Sequence, residues 1–390
     1  MRPQTQYAIG DTPITAVPGD LNKDGNIDLV SANQGDNTIS VLLGNGDGTF
    51  KEQVKYATGS GPFYVVLGDY NHDNQTDVAV ANYYENTVRI LFGSDGGTLQ
   101  SSTDYKTGIS PSFVTAGGFN SDKNLDVVVT NLLDNTVSVL LGDGNGTFQT
   151  QSVYPTGNSP SCVATGDLDN DRNLDFVVTN SKDDTITIFF GVGNGSFYTY
   201  QNYSVGRTPI FILIDDLNTD GQLDLVVVHS GNNSIGVLLG SARGDFLLYT
   251  RYATGISPRS ATSGDFNNDN KTDLAVVNAN ENTVTILFGD GGGSFPTSNS
   301  HTVGSGPVSI ISGDFNGDTN MDVAIANYLE NTVSVLLGYG NGSFQTQLKY
   351  QTGTCPSQVC VGDFDGDSRP DLAVVDKYSS DLTILLNQCP

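Results

Sequence analysis

Oxygen-bearing side chains recur in this chain on a fixed grid. A nine-residue segment that first runs from Asp20 to Asp28 (DLNKDGNID) returns at Asp69, Gly118, Asp167, Asp216, Asp265, Asp314 and Asp363, always 49 residues further on. At positions 1, 3, 5, 7 and 9 the first loop reads Asp20, Asn22, Asp24, Asn26 and Asp28, and the second Asp69, Asn71, Asp73, Gln75 and Asp77. The third has Gly118, then Asn120, Asp122, Asn124 and Asp126, and the fourth Asp167, Asp169, Asp171, Asn173 and Asp175. The fifth offers Asp216, Asn218, Asp220, Gln222 and Asp224, and the sixth Asp265, Asn267, Asp269, Lys271 and Asp273. The seventh carries Asp314, Asn316, Asp318, Asn320 and Asp322, and the eighth Asp363, Asp365, Asp367, Arg369 and Asp371. Turn formation alone explains Asp and Asn between strands. It does not call for three or four carboxylates within about 4 Å, where each pair repels by roughly 4 kcal/mol at an effective dielectric near 20. A hard divalent cation removes that repulsion. Calcium takes six to eight oxygens, and a nine-residue loop can wrap it with side chains 1, 3, 5 and 9 and the carbonyl of residue 7. Up to eight Ca2+ sites are therefore expected.

The sites are not expected to be equal. Position 12 is Ser31, Val80 or an equivalent inside a strand, so the Asp at position 9 must close each site, bidentately. Loops four and eight carry four carboxylates and should bind most tightly, whereas Gly118 makes the third the weakest or empty. At position 6 only Gly25 and Gly221 are glycine; Asn74, Lys123, Arg172, Asn270, Thr319 and Ser368 stand elsewhere, and all but the two Asn would be strained if that position needs positive φ.

The elements that hold these loops follow from the same period. In the second copy, residues 63–67 (FYVVL) lead into the loop, 77–81 (DVAVA) leave it, 82–86 turn, 87–92 (TVRILF) form a third strand, 93–97 turn again, and 98–105 form a more polar fourth strand. Short strands rich in Val, Ile, Thr and aromatics, separated by Gly, Asn and Asp, make a four-stranded antiparallel meander. One such sheet is too small to stand alone and is stabilised by packing against copies of itself around an axis. The fold predicted is all-β, an eight-bladed β-propeller forming a single domain over residues 1–390.

The chain ends predict that the ring closes. An aromatic or leucine opens each fourth strand (Phe50, Leu99, Phe148, Phe197, Phe246, Phe295, Phe344), and a second ring follows six residues later, from Tyr56 to Tyr350 with His301 in one copy. The eighth copy stops at Pro390 before its fourth strand, and the phase of the repeat falls at Met1 and Tyr7. Residues 1–9 should therefore complete blade 8, which removes two exposed strand edges.

The chain holds 43 acidic and 17 basic residues, a formal charge of −26, and 25 of the acids sit at positions 1, 3, 5 and 9 of the loops. Eight bound divalent cations would bring the charge to about −10. So acidic a surface argues against nucleic acid and anionic lipid as partners. No run reaches the ~20 apolar residues of a membrane span, and the start MRPQTQ has no signal-peptide core. Weak nine-residue sites suit the millimolar calcium outside cells, and Asn-x-Ser/Thr sequons at Asn74, Asn145, Asn194, Asn202, Asn232, Asn270 and Asn341 lean the same way. An extracellular or secreted monomer is expected. Cys162, Cys355, Cys360 and Cys389 are too sparse for a disulfide frame, with room for one bridge among the last three.

The loop pattern D-x-[DN]-x-D-x-x-x-D, together with tracts such as 56–62 (YATGSGP), resembles the FG-GAP or VCBS-type calcium repeats of integrin α-subunit propellers over essentially the whole chain. The resemblance implies calcium at positions 1, 3, 5, 7 and 9, in the loop joining the first and second strands of each blade. Integrin propellers have seven blades, against eight units here.

Individual function is expected on the opposite face, where the copies differ most. Phe63, Tyr64, Tyr83, Tyr84, Phe113, Leu132 and Leu133 gather near one rim of blades 2 and 3, and exposed apolar clusters of this kind mark contact sites. The alternative for several of them is packing within blade interfaces. The reading is a non-catalytic interaction module for a protein or glycan ligand, with structural calcium. A lectin is the alternative, weakened by the absence of Trp. A polysaccharide-active enzyme ranks below it: His72, His229 and His301 are the only histidines, and no nucleophile and base stand at recognisable spacing.

Overall fold

Each second strand is buried along its whole length in all eight copies, a pattern that fits only a sheet covered on both faces. The alternation of side chains assigns one face to each neighbour. Val78 and Val80 pack toward blade 1, Ala79 and Ala81 toward blade 3. The computed structural model describes residues 5–246 and 248–387. Eight four-stranded antiparallel sheets account for every strand among the described residues. Blade 1 comprises Pro13–Gly19, Asp28–Asn33, Thr38–Leu42 and Val54–Ala57. In blade 2 the strands are Pro62–Gly68, Asp77–Asn82, Thr87–Ser94 and Thr98–Lys106, each reaching up to two residues past the sequence expectation.

The ring is closed. Eight buried clusters each join two adjacent blades, and one of them unites Ile9, Ala16, Leu29 and Phe50 with Cys360, Phe364, Val375 and Leu382 across the first and last blades. Blade 8 takes Pro356–Gly362, Asp371–Asp376 and Asp381–Leu385 from the end of the chain and Thr5–Ala8 from its start, paired Thr5 to Ile384 through Ala8 to Asp381. Of the closing segment expected over residues 1–9, Met1 and the next three residues lie outside the described set.

The aromatic pair of the repeat is the seam between blades. Tyr7, Tyr105, Tyr252 and His301 meet Phe50, Phe148, Phe295 and Phe344 of the following blade, edge to face at 5.4, 5.2, 5.4 and 5.1 Å. Such contacts add about 0.5–1.5 kcal/mol each to the area they bury. A second tie runs along the other face. In seven of the eight turns between second and third strands the left-handed residue accepts an N–H from the next linker, as in Gly61 N to Asn37 Oδ1 at 2.8 Å and Ser110 N to Asn86 Oδ1 at 2.9 Å, while in blade 8 Ser380 donates its hydroxyl to Asp11 instead. Cys355 and Cys360 are free thiols, as is Cys162, and Cys389 lies outside the described residues.

Candidate metal centres and the opposite rim

Every first-to-second-strand loop is wound by its own side chains. In seven blades the Asp at position 1 accepts the N–H of position 6 on Oδ2, from Gly25 N to Asp20 at 2.9 Å through Ser368 N to Asp363 at 2.8 Å. Gly118 has no side chain to do so. Position 5 accepts from the N–H of position 7, as in Asn26 N to Asp24 Oδ1 at 2.8 Å. Position 9 anchors the loop to the blade. Asp28 takes Leu21 N on Oδ2 and Gly44 N on Oδ1, both at 2.8 Å, and the same pair of bonds recurs in all eight blades. Each oxygen keeps a second lone pair, so this wiring leaves position 9 able to face a cation.

The loops bend through left-handed backbone at two places. Position 6 has positive φ in all eight copies, including Lys123 at 73°, Arg172 at 71°, Thr319 at 68° and Ser368 at 64°, so the strain expected from the sequence is present. Position 4 was not foreseen. It is left-handed throughout as well, at Lys23, His72, Ser121, Asn170, Thr219, Asn268, Gly317 and Gly366. A non-glycine residue there costs roughly 1–2 kcal/mol, more for a β-branched Thr. Twelve such residues across the eight loops turn the polar atoms of positions 1, 3 and 5 inward, a conformation that persists only where something holds it.

The electrostatics fit a cation. All eight position-9 carboxylates are fully buried, and burial pushes their pKa up: to about 7 at Asp175 and to about 6 at Asp77, Asp126, Asp224, Asp273, Asp322 and Asp371. Asp28 shifts the same way. Oδ1 of Asp20, of Asp69 and of Asp365 is buried with no hydrogen-bond partner, an arrangement that fits a hard cation as the partner of these oxygens. The four-carboxylate loops stand out: one oxygen each from Asp167, Asp169 and Asp175 lies within 4.8 Å of the others, and so with Asp363, Asp365 and Asp371. Burial and the adjoining Asp171 raise Asp169, and burial and Asp367 raise Asp365.

Neighbouring loops touch. Position 4 of one reaches position 7 of the next in His72 Nε2 to Asn124 Oδ1 at 2.8 Å, Asn170 Nδ2 to Gln222 Oε1 at 2.6 Å and Asn268 Nδ2 to Asn320 Oδ1 at 2.7 Å. Position 2 also escaped the sequence reading. Leu21, Tyr70, Phe119, Leu168, Leu217, Phe266, Phe315 and Phe364 are at most 2% exposed and fasten each loop into the blade interface. An apolar residue repeating between two polar ones was the available signal.

The rim of blades 2 and 3 divides into two populations. Tyr64 and Phe113 stack at 4.0 Å, half-buried, and belong to the interface packing. Phe63 lies 5.6 Å from Tyr83, which meets Tyr84 at 5.1 Å nearly at right angles. Tyr84 and Leu133 are 65% and 56% exposed, with Leu132 half-buried beside them. Two further exposed residues in the equivalent turns of blades 7 and 8, Leu329 and Tyr378, extend the apolar positions around the rim.

The chain matches the FG-GAP-like repeat over residues 20–80, 118–178, 216–276, 265–325 and 314–374. No curated protein matches it. Among solved structures it is similar to BBS1N in its complex with ARL6DN, at 15% identity over 98% of this chain and 94% of that one, TM-score 0.55. It is similar to a lectin of Agrocybe aegerita described as recognising non-reducing terminal N-acetylglucosamine, at 16% identity over 74% and 80%, TM-score 0.53. It is also similar to virginiamycin B lyase of Staphylococcus aureus with quinupristin, at 17% identity over 89% and 98%, TM-score 0.54. These identities establish a shared propeller architecture alone.

Proposed function

The chain belongs to the FG-GAP-like repeat family, and from that premise we propose that it is a calcium-stabilised, non-catalytic binding module that works outside cells. The carrying observation is the eightfold loop conformation, with twelve non-glycine residues held left-handed around inward-facing carboxylates, three of whose oxygens are buried without a partner. Positions 1, 3, 5 and 9 would hold the ion with the carbonyl of position 7, and the ion would supply charge compensation and rigidity. Its protein or glycan ligand is then sought on the rim opposite, at Tyr83, Tyr84, Leu132 and Leu133. The histidines support a non-catalytic reading: burial pushes His229 down to about 4, burial also lowers His301, and His72 is engaged by Asn124.

Thermal unfolding with calcium and with chelator tests the metal half, because a ligand that binds only the folded state stabilises it by mass action. A saturable rise in Tm with calcium is expected, and identical melting in both buffers would remove the reading. A lectin is the second reading, favoured by exposed ring faces at Tyr84 and Tyr378. Glycan-array binding that depends on calcium and is lost in a Tyr83→Ala, Tyr84→Ala double variant would select it.

A further inference from the structure

One cross-strand pair is built the same way in six blades and differently in the other two. Where the second strand ends and the third begins, Asn33 faces Thr38, Asn82 faces Thr87, Asn131 faces Thr136, Asn180 faces Thr185, Asn278 faces Thr283 and Asn327 faces Thr332. Each Asn donates Nδ2 to the Thr hydroxyl at 3.0–3.1 Å. Blade 5 substitutes His229 and Ser234, whose Nδ1 and Oγ lie 3.4 Å apart. In blade 8 the pair is Asp376 and Asp381, two carboxylates directly opposed. Like charges in that position are destabilising.

The surroundings compensate only in part: the Thr383 hydroxyl and the Gly353 amide favour the ionised Asp376, against burial and the facing Asp381. Asp376 is fully buried; its Oδ2 accepts the Thr383 hydroxyl at 2.5 Å, and its Oδ1 has no hydrogen-bond donor. Asp381 accepts Ser379 Oγ at 3.1 Å. Gly353 covers both: a Cβ there would lie 2.7 Å from Asp376 Cβ and 2.4 Å from Asp381 Oδ1, and its own N–H goes to Thr383 Oγ1. Asp11 is tied in through the Ser380 hydroxyl, which donates to its Oδ1 at 3.1 Å. Lys377 lies over the Tyr378 ring, and among the described residues no Lys or Arg ion pair reaches either carboxylate. Asp381 is also the residue registered against Ala8 of the N-terminal strand, and its neighbour Ser380 accepts Ile9 N–H at 2.9 Å.

We propose that the buried Asp376 keeps its proton where it faces Asp381 and that this proton is the clasp of the ring, its loss setting a buried carboxylate against the half-buried Asp381 on the strand that holds Thr5–Ala8. The donor that six other blades obtain from an Asn amide is here a carboxylic acid O–H. Burial, then the facing Asp381, raises Asp376 to about 7. Free aspartate in the unfolded chain titrates near 4. Between those values the folded protein binds the extra proton, so stability is fully present below about pH 4 and is lost as pH rises through about 7. The other titrating groups of the ring are common to wild type and to a blade 8 variant, and cancel in the difference between them.

The test is Tm from pH 5 to pH 8 at fixed saturating calcium for wild type, Asp376→Asn and Asp381→Thr, with amide exchange of the Thr5–Ala8 strand, corrected for intrinsic rate, as the local readout. Wild type should lose Tm relative to both variants as pH rises, and protection in that strand should fall about tenfold or more while the second strands of other blades keep theirs. If Asp376→Asn fails to fold, Asp381→Thr still serves, because removing the facing charge should leave a shallower pH slope than wild type while burial of Asp376 keeps part of it. Parallel pH profiles for wild type and variant would overturn the proposal. So would recovery of the wild-type strand at pH 8 on raising sodium or potassium, which would assign the pair to a cation.

Discussion

The two ends of each blade obey different rules. At the Asp-rich end eight loops repeat the same position-9 bonds, the same two left-handed residues and the same buried Asp, although positions 4, 6 and 7 range from Gly to Lys and Arg. At the opposite end the turn is fixed by one left-handed residue that ties the next linker, and the two residues before the acid or amide of that turn are free to vary from Gln34 and Gly35 to Tyr83 and Tyr84. A converging set of oxygens constrains every position around it, whereas a backbone tie constrains only itself. Variation therefore collects where recognition can use it.

Four perturbations would break or sharpen this contrast. Deleting residues 1–9 removes a paired strand, the Tyr7 ring and buried Ile9, and leaves an exposed edge that both ends share; a loss of about 5 kcal/mol or more is expected in urea unfolding, with or without calcium. Truncated protein that unfolds like the full chain would contradict ring closure. Asp175→Asn leaves one of two buried amides, Leu168 N or Gly191 N, facing an NH2 group and should cost about 3 kcal/mol, whereas Tyr84→Ala should cost well under 1. Equal costs would erase the distinction between the two ends.

A smaller effect belongs to the one basic residue buried at the rim end among the described residues. His229 is held down to about 4 by burial, and then by Arg251, against about 6.5 unfolded. Its contribution is present above about pH 6.5 and is lost as pH falls toward 4, up to roughly 3 kcal/mol at the acid limit and about 1–2 near pH 5. His229→Asn, the residue of most blades, should flatten that slope in a pH series of melts. The smallest change is a gain: Gly118 has normal backbone and a Cβ there meets nothing closer than 3.7 Å, so Gly118→Asp fits the loop. It should add about 0.5–1 kcal/mol more in calcium than in chelator, read as a Tm difference between the two buffers.

Much of this was legible in the sequence because repetition makes a weak local signal strong. Period, strand order, ring closure and the loop residues all follow from spacing, and Thr5–Ala8 lies where the phase of Tyr7 placed it. Three things were hidden. The left-handed backbone at position 4 leaves no compositional trace when Lys23, Ser121 or Thr219 occupies it. Position 2 was missed because its burial depends on the neighbouring blade. The rim patch mixed two roles, since Tyr64 and Phe113 face the interface while Tyr84 faces solvent, and their side-chain types are the same.

The central claim is that the loops are cation sites of unequal strength. Equilibrium dialysis of the full chain against calcium from micromolar to millimolar, with magnesium as competitor, counts them directly. The account predicts several bound ions per chain approaching seven, with loops four and eight filling first, shown by loss of the tightest sites in an Asp169→Asn, Asp365→Asn variant. Binding of fewer than one calcium per chain at millimolar concentration would contradict it.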